Sequence, residues 1–199
     1  MFDWIKNITK EYPPFWKNYL SKFDKKTSKR FVVLSTETTG LNPKKDLILS
    51  IAAIGVENNN ILVGDLYDVI ISQKEKISKE DSQNEFLLYT NQKKISETRA
   101  IQGFIKYLGN AVLVGHRINF DIEMINEALE KLDCGRLKNE ALDIEVMYKK
   151  LHDINDKSFT LEDLSTLFKI PKSDRISTAD DSYTIALLFL KLKSRLGIA

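Results

Sequence analysis

Cysteine occurs once in these 199 residues, at Cys134. No disulfide can form within the chain, which excludes a small stapled scaffold and fits a reducing compartment. Beside Gly135, with no His or Cys next to it, Cys134 reads as an inert side chain. Histidine is nearly as scarce: His116 and His152 are the only two, and none follows His152. No apolar run approaches the roughly 18 residues that a membrane span requires. Asp3 and Lys6 interrupt the apolar start, which argues against a secretory signal. The expectation is a cytoplasmic chain with no membrane partner. What is present, 43% hydrophobic and 29% charged residues, is the balance of an ordinary globular protein with a core of its own.

Charge is unevenly spread. Residues 1–30 hold eight Lys or Arg against three acids, net +5, while residues 31–199 are net −3. The larger part therefore lacks the broad basic surface of a tight, nonspecific nucleic-acid binder, although a local basic groove is compatible with that total. This division suggests a helical, aromatic and basic extension over 1–30, followed by one domain over 31–199.

Within the extension, Pro13-Pro14 ends one segment and suits the first turn of the next. Phe15, Trp16, Tyr19, Leu20 and Phe23 then fall on one face of an amphipathic helix. That face either packs on the body of the protein or docks a protein partner, since aromatic anchors dominate interfaces. Lys22, Lys25, Lys26, Lys29 and Arg30 follow as a basic connector.

The stretch that organises the rest is Phe31-Val32-Val33-Leu34-Ser35-Thr36-Glu37-Thr38-Thr39-Gly40. Its apolar run is a short buried strand, and Ser35 and Glu37, two apart, point to one face of it. Leu47–Val56 and Ile61–Ile71 are further strands, joined at Asn58-Asn59-Asn60, whose residues tolerate the left-handed backbone of a hairpin turn. Residues 72–94 read as a polar loop with a short helix around Phe86-Leu87-Leu88-Tyr89. Thr98–Leu108 carries apolar residues at helical spacing, and Ala111–Val114 is a fourth strand.

Gly115-His116-Arg117-Ile118-Asn119-Phe120-Asp121 follows that strand directly, with Asn119 a suitable helix cap. Asp121 then lies in the first turn, either as a mere dipole-stabilised acid or as a functional carboxylate. Another helix is expected within Leu142–Leu151, and Thr160 with Asp163 resembles a capping box ahead of a helix that Pro171 stops. Arg175-Ile176-Ser177-Thr178-Ala179-Asp180-Asp181-Ser182 leads into a last helix through Leu196.

Three of these segments, in this order, resemble the motifs of the DEDDh 3′–5′ exonucleases, the DnaQ-like family of the DNA polymerase III epsilon subunit. The first family motif reads Asp-x-Glu-Thr-Thr-Gly, the second Gly/Ala-His-Asn-x-x-Phe-Asp, and the third Arg-His-x-Ala-x-x-Asp-Ala. The resemblance covers about residues 31–196. It implies an α/β, ribonuclease-H-like exonuclease fold, a mixed five-stranded sheet flanked by helices. It also implies Mg²⁺ or Mn²⁺ as cofactor, two ions in the family and one or none here, and a single-stranded nucleic-acid 3′ end as partner.

Carried over position by position, the resemblance makes Glu37, Asp121 and Asp181 the metal-holding carboxylates. It makes Thr38, Thr39, Gly40, His116 and Phe120 the substrate-binding scaffold. Two catalytic positions are substituted: Ser35 stands for the Asp that bridges both metals, and Ile176 for the general-base His. Arg117 replaces the usual Asn, and Tyr89-Thr90-Asn91 occupies the neighbourhood of a His-Gly-Ile run found in relatives.

Phosphodiester hydrolysis by two metals needs carboxylates holding the ions roughly 3.5–4 Å apart and a base for the attacking water. A serine hydroxyl cannot bridge two cations, and isoleucine cannot move a proton. The expectation is a catalytically degenerate homologue that keeps nucleic-acid-end or single-metal binding. Two alternatives stand beside it. One is a working exonuclease with a rearranged site, using Asp180 or a base from His116 or His152. The other is an interaction scaffold built on the N-terminal aromatic helix.

Overall fold

The structure, a computed structural model, describes residues 11–24, 28–73, 93–171 and 177–198. Helix α1 (Pro14–Leu20) starts on its proline, whose fixed φ suits a first turn. Strands β1 (Phe31–Thr38), β2 (Ile48–Glu57) and β3 (Asn60–Ser72) form an antiparallel meander whose second turn is the expected hairpin. The turn between β2 and β3 is made by Asn58 and Asn59, at φ of 49° and 62°, a conformation that asparagine tolerates better than most residues. β4 (Lys94–Ser96) leads into α2 (Glu97–Leu108), and β5 (Val112–Gly115) into α3 (Ile118–Glu130). β6 (Ala141–Asp143), α4 (Ile144–His152), α5 (Leu161–Leu167) and α6 (Thr178–Arg195) complete the order.

The sheet runs β4-β3-β2-β1-β5-β6, with β4, β5 and β6 each parallel to their neighbours. It has six strands where the sequence suggested five, because β4 and β6 are three residues long and carry too little periodicity to announce themselves. The helix expected within Leu142–Leu151 gives up Leu142 and Asp143 to β6 and begins at Ile144. β2 is buried along nearly its whole length, as a central strand covered on both faces must be.

β1 divides the core. Val32 and Leu34 face α1, α2 and α3, whereas Val33 faces α4, α5 and α6. By strand alternation Thr36 belongs to the first layer, and Ser35 and Glu37 to the second. Trp16 and Tyr19 of α1 are both 1% exposed and lie in the first layer, their rings stacked at 4.5 Å. The Tyr19 hydroxyl donates to Asn139 Oδ1 at 2.6 Å and accepts from the Lys138 N–H. The aromatic face of α1 thus packs on the body. Trp16→Ala is expected to cost about 3–5 kcal/mol of stability, read as a lower urea midpoint. An unchanged midpoint would mean that α1 is dispensable.

Other expectations fall outside the described residues: the island at Phe86–Tyr89, Tyr89-Thr90-Asn91, Lys25 and Lys26, and Ile176.

Candidate functional site

Ser35 and Glu37 sit near the C-terminal end of β1, opposite Ala52 and Ser50 of β2. Helix α6 crosses this face with its N-terminus at the same end. The Ser50 and Thr178 hydroxyls bond to each other in the buried space between sheet and helix. Asp181 lies one turn further along α6, beside Glu37. Burial, and then the Asp181 charge, pushes the Glu37 carboxyl above its ordinary pKa. The structure therefore brings Ser35, Glu37 and Asp181 together on one face.

Asp121 is held differently. It projects from the first turn of α3, is 7% exposed, and accepts a 2.5 Å hydrogen bond from the Thr36 hydroxyl, on the opposite side of β1 from Ser35 and Glu37. Burial pushes its carboxyl up to about 7, against hydrogen bonds from Thr36 that favour the charged form. The expected Asn119 cap is not used. Helix α3 begins after Arg117, at φ 56°, because Asp143 accepts the Ile118 N–H at 3.1 Å and so caps the helix from outside. The other Asp143 oxygen accepts the Glu145 N–H at 2.8 Å, so one carboxylate caps both α3 and α4. Asp143 immediately precedes an apolar helical run, a signal that could have found it.

The remaining scaffold residues are engaged within the fold. The Thr38 hydroxyl donates to the Gly40 carbonyl, and the Thr39 hydroxyl donates to Asp46 while accepting the Leu47 N–H. A Cβ at Gly40 would stand 2.7 Å from the Asp46 carboxylate, so a larger residue there would displace Asp46 from Thr39. Phe120 packs half-buried on the first core layer. His116 Nε2 is 2.8 Å from the Phe159 carbonyl, a bond that fixes a proton on that nitrogen and uses it. His152 packs its ring on Tyr148 at 4.6 Å.

Two acids, Glu145 and Asp68, escaped the motif reading. Glu145, 6% exposed, collects Lys149, the Phe159 N–H, Ser158 and Arg117. Although burial opposes ionisation, those bonds hold its carboxyl at about 2, a structural knot behind His116 and Arg117. Asp68 stands on the same sheet face as Ser35, across Ala52. Its carboxyl is pushed up by partial burial and then by the charge of Asp180. Asp180 itself accepts from the Ser177 hydroxyl at the start of α6. An acid on a strand is no motif, so Asp68 carried no sequence signal of its own.

A family model described as Exonuclease matches residues 32–189, most of the chain. The chain belongs to the DnaQ-like exonuclease family. It is 31% identical to a DNA polymerase III subunit epsilon of Buchnera aphidicola, over 81% of this chain and 72% of that protein. It is 26% identical to a PolC-type DNA polymerase III of Thermotoga petrophila over 91% of this chain, yet spans only 13% of that polymerase. Among solved structures, the Escherichia coli ExoI–ssDNA complex matches with a TM-score of 0.69 at 18% identity, over 85% of this chain and 42% of that one. A second ExoI structure, with a dT13 oligonucleotide, matches at 0.67 and 20%. These two show the ribonuclease-H-like exonuclease fold. No described helix is long and apolar enough to cross a membrane.

Exonucleases of this family use divalent metals, and the donors here do not fit a pair of them. Among the described residues no group of three or more His, Cys, Asp or Glu side chains is placed to hold a metal ion. Glu37 and Asp181 share a face with a neutral hydroxyl, and Asp121 is tied to Thr36. Mg²⁺ keeps several of its waters and is held by one or two carboxylates, so Glu37 with Asp181 would suit one ion, whereas a second would need a bridging acid in the place of Ser35.

Proposed function

We propose that this exonuclease-family chain has lost, or nearly lost, phosphodiester hydrolysis, and keeps the ability to hold a single-stranded nucleic-acid 3′ end. One observation carries the reading: Ser35 stands on β1 beside Glu37 and Asp181, at the position where the family motif has a carboxylate. A hydroxyl there leaves Glu37 and Asp181, which repel each other, without the bridging carboxylate that a second cation needs between them. Retained end binding rests on the preserved fold and on its likeness to ExoI structures holding single-stranded DNA.

A second reading has one observation in its favour. The Asp68–Asp180 pair adds carboxylates on the same sheet face, so a rearranged site displaced toward β3 would keep activity. The two readings part in one assay: a 3′-labelled single-stranded oligonucleotide incubated with Mg²⁺ and separately with Mn²⁺, with binding followed by fluorescence anisotropy. Binding without shortening of the label is the expected result. Steady 3′–5′ shortening that disappears in both Glu37→Gln and Asp68→Asn would replace the first reading with the second. Shortening abolished by Glu37→Gln alone would refute both.

A further inference from the structure

At the opposite end of β1, a cavity of about 430 Å³ opens where the basic connector enters the sheet. Its lining includes Phe31, Ser28, Lys29, Asn58, Asn59 and Lys193. Phe31 is six residues from Glu37, roughly 20 Å along an extended strand, so this cavity is separate from the candidate site.

Lys193 is the unusual member. It is 6% exposed, near the C-terminal end of α6, and its Nζ donates to Asn59 Oδ1 at 2.8 Å. The same Nζ lies 5.7 Å from the centre of the Phe31 ring. Among the described residues these partners are neutral, an amide and an aromatic face. Burying an ammonium without an opposite charge is costly, and the helix dipole recovers only part of that cost. Lys29 adds a second, exposed cation at the rim. Its neighbour Arg30 is already used, bonded to Asp65 at 2.9 Å and placed over the Tyr107 ring. The described walls thus present two ammonium groups, a hydroxyl and two amides, and no carboxylate.

We propose that this cavity is an anion site for a small phosphorylated ligand, whose phosphate lies between Lys193 and Lys29 with Ser28 and the Asn58-Asn59 turn as hydrogen-bond donors. Two cations and several neutral donors match a phosphate monoester, which carries nearly two charges and multiple acceptor oxygens. The cavity exceeds what an inorganic ion requires and falls in the range of small-molecule pockets. The phosphate can come from the free ion or from a mononucleotide.

Calorimetric titration of the full chain with inorganic phosphate, and separately with 5′-dAMP, at ionic strength fixed with chloride, tests this. Both ligands are expected to bind. Lys29→Ala should weaken binding at least fivefold, and Lys193→Met, which keeps length and apolar packing, more than tenfold. Tighter binding of 5′-dAMP than of phosphate would identify the mononucleotide as the ligand, and equal binding the free ion. Absence of binding heat from either ligand in the native chain overturns the proposal. So does equal affinity in the native chain and Lys29→Ala, an exposed substitution whose fold is not in question if Lys193→Met fails to fold.

Discussion

The double substitution Ser35→Asp with Ile176→His is expected to confer Mg²⁺-dependent shortening of a labelled 3′ end that, on the proposed reading, the native chain leaves intact. The gain should be at least a hundredfold over the native rate, since general-base help alone is worth about 10²–10⁴. Ser35 lies on the face of β1 that carries Glu37 and looks onto Asp181, so an aspartate there becomes a third carboxylate between them. Ser35→Asp alone should raise metal affinity, seen by calorimetry with Mn²⁺, while adding far less rate than the pair. The pair tests the chemistry apart from the groove: a revertant no faster than the native chain would mean that these two positions are not what limits hydrolysis.

The second large effect concerns Asp121 and pH. Its carboxyl ordinarily titrates at 3.8 and is pushed up to about 7 by burial in the fold. Between those values the folded chain holds a proton that the unfolded chain has released, so stability falls as pH rises. The contribution from the neutral acid is fully present below about pH 4 and is lost as pH passes through 7. Three logarithmic steps of pKa correspond to a loss on the order of 4 kcal/mol. Urea midpoints of the native chain should therefore decline from pH 5 toward pH 8 more steeply than those of Asp121→Asn, which cannot ionise but still offers an oxygen to Thr36. Parallel pH profiles would mean that Asp121 is ionised in the folded chain throughout, and that the Thr36 hydroxyl and a backbone N–H outweigh its burial.

Several features were legible because they depend on short stretches of chain. Asn58-Asn59 announced a hairpin turn, and Thr160 with Asp163 a capping box that forms with both reciprocal bonds. The aromatic spacing of Phe15, Trp16 and Tyr19 predicted one helical face but left its partner open. Packing against α2 and the Asn139 loop turned that face inward, because 120 residues of intervening chain bring the Tyr19 hydroxyl to Asn139. The cap of α3 misled for the same reason. Asn119 had the right chemistry locally, yet the stronger acceptor was Asp143, brought alongside by the parallel pairing of β5 and β6.

The sequence by itself determined the family, the meander with its motif strand, and the two substitutions at Ser35 and Ile176, since each is a matter of residue identity and order. Tertiary structure decided which acids share a space. Strand alternation and the path of α6 put Glu37 with Asp181 and Asp68 with Asp180, while Thr36 drew Asp121 to the other side of β1. It also decided that His116 serves the Phe159 carbonyl and that Lys193 is buried beside a turn 134 residues earlier. Desolvation and charge coupling depend on distance in space, which linear spacing does not encode, and that is why the motifs showed which residues were present but not how they were charged or paired.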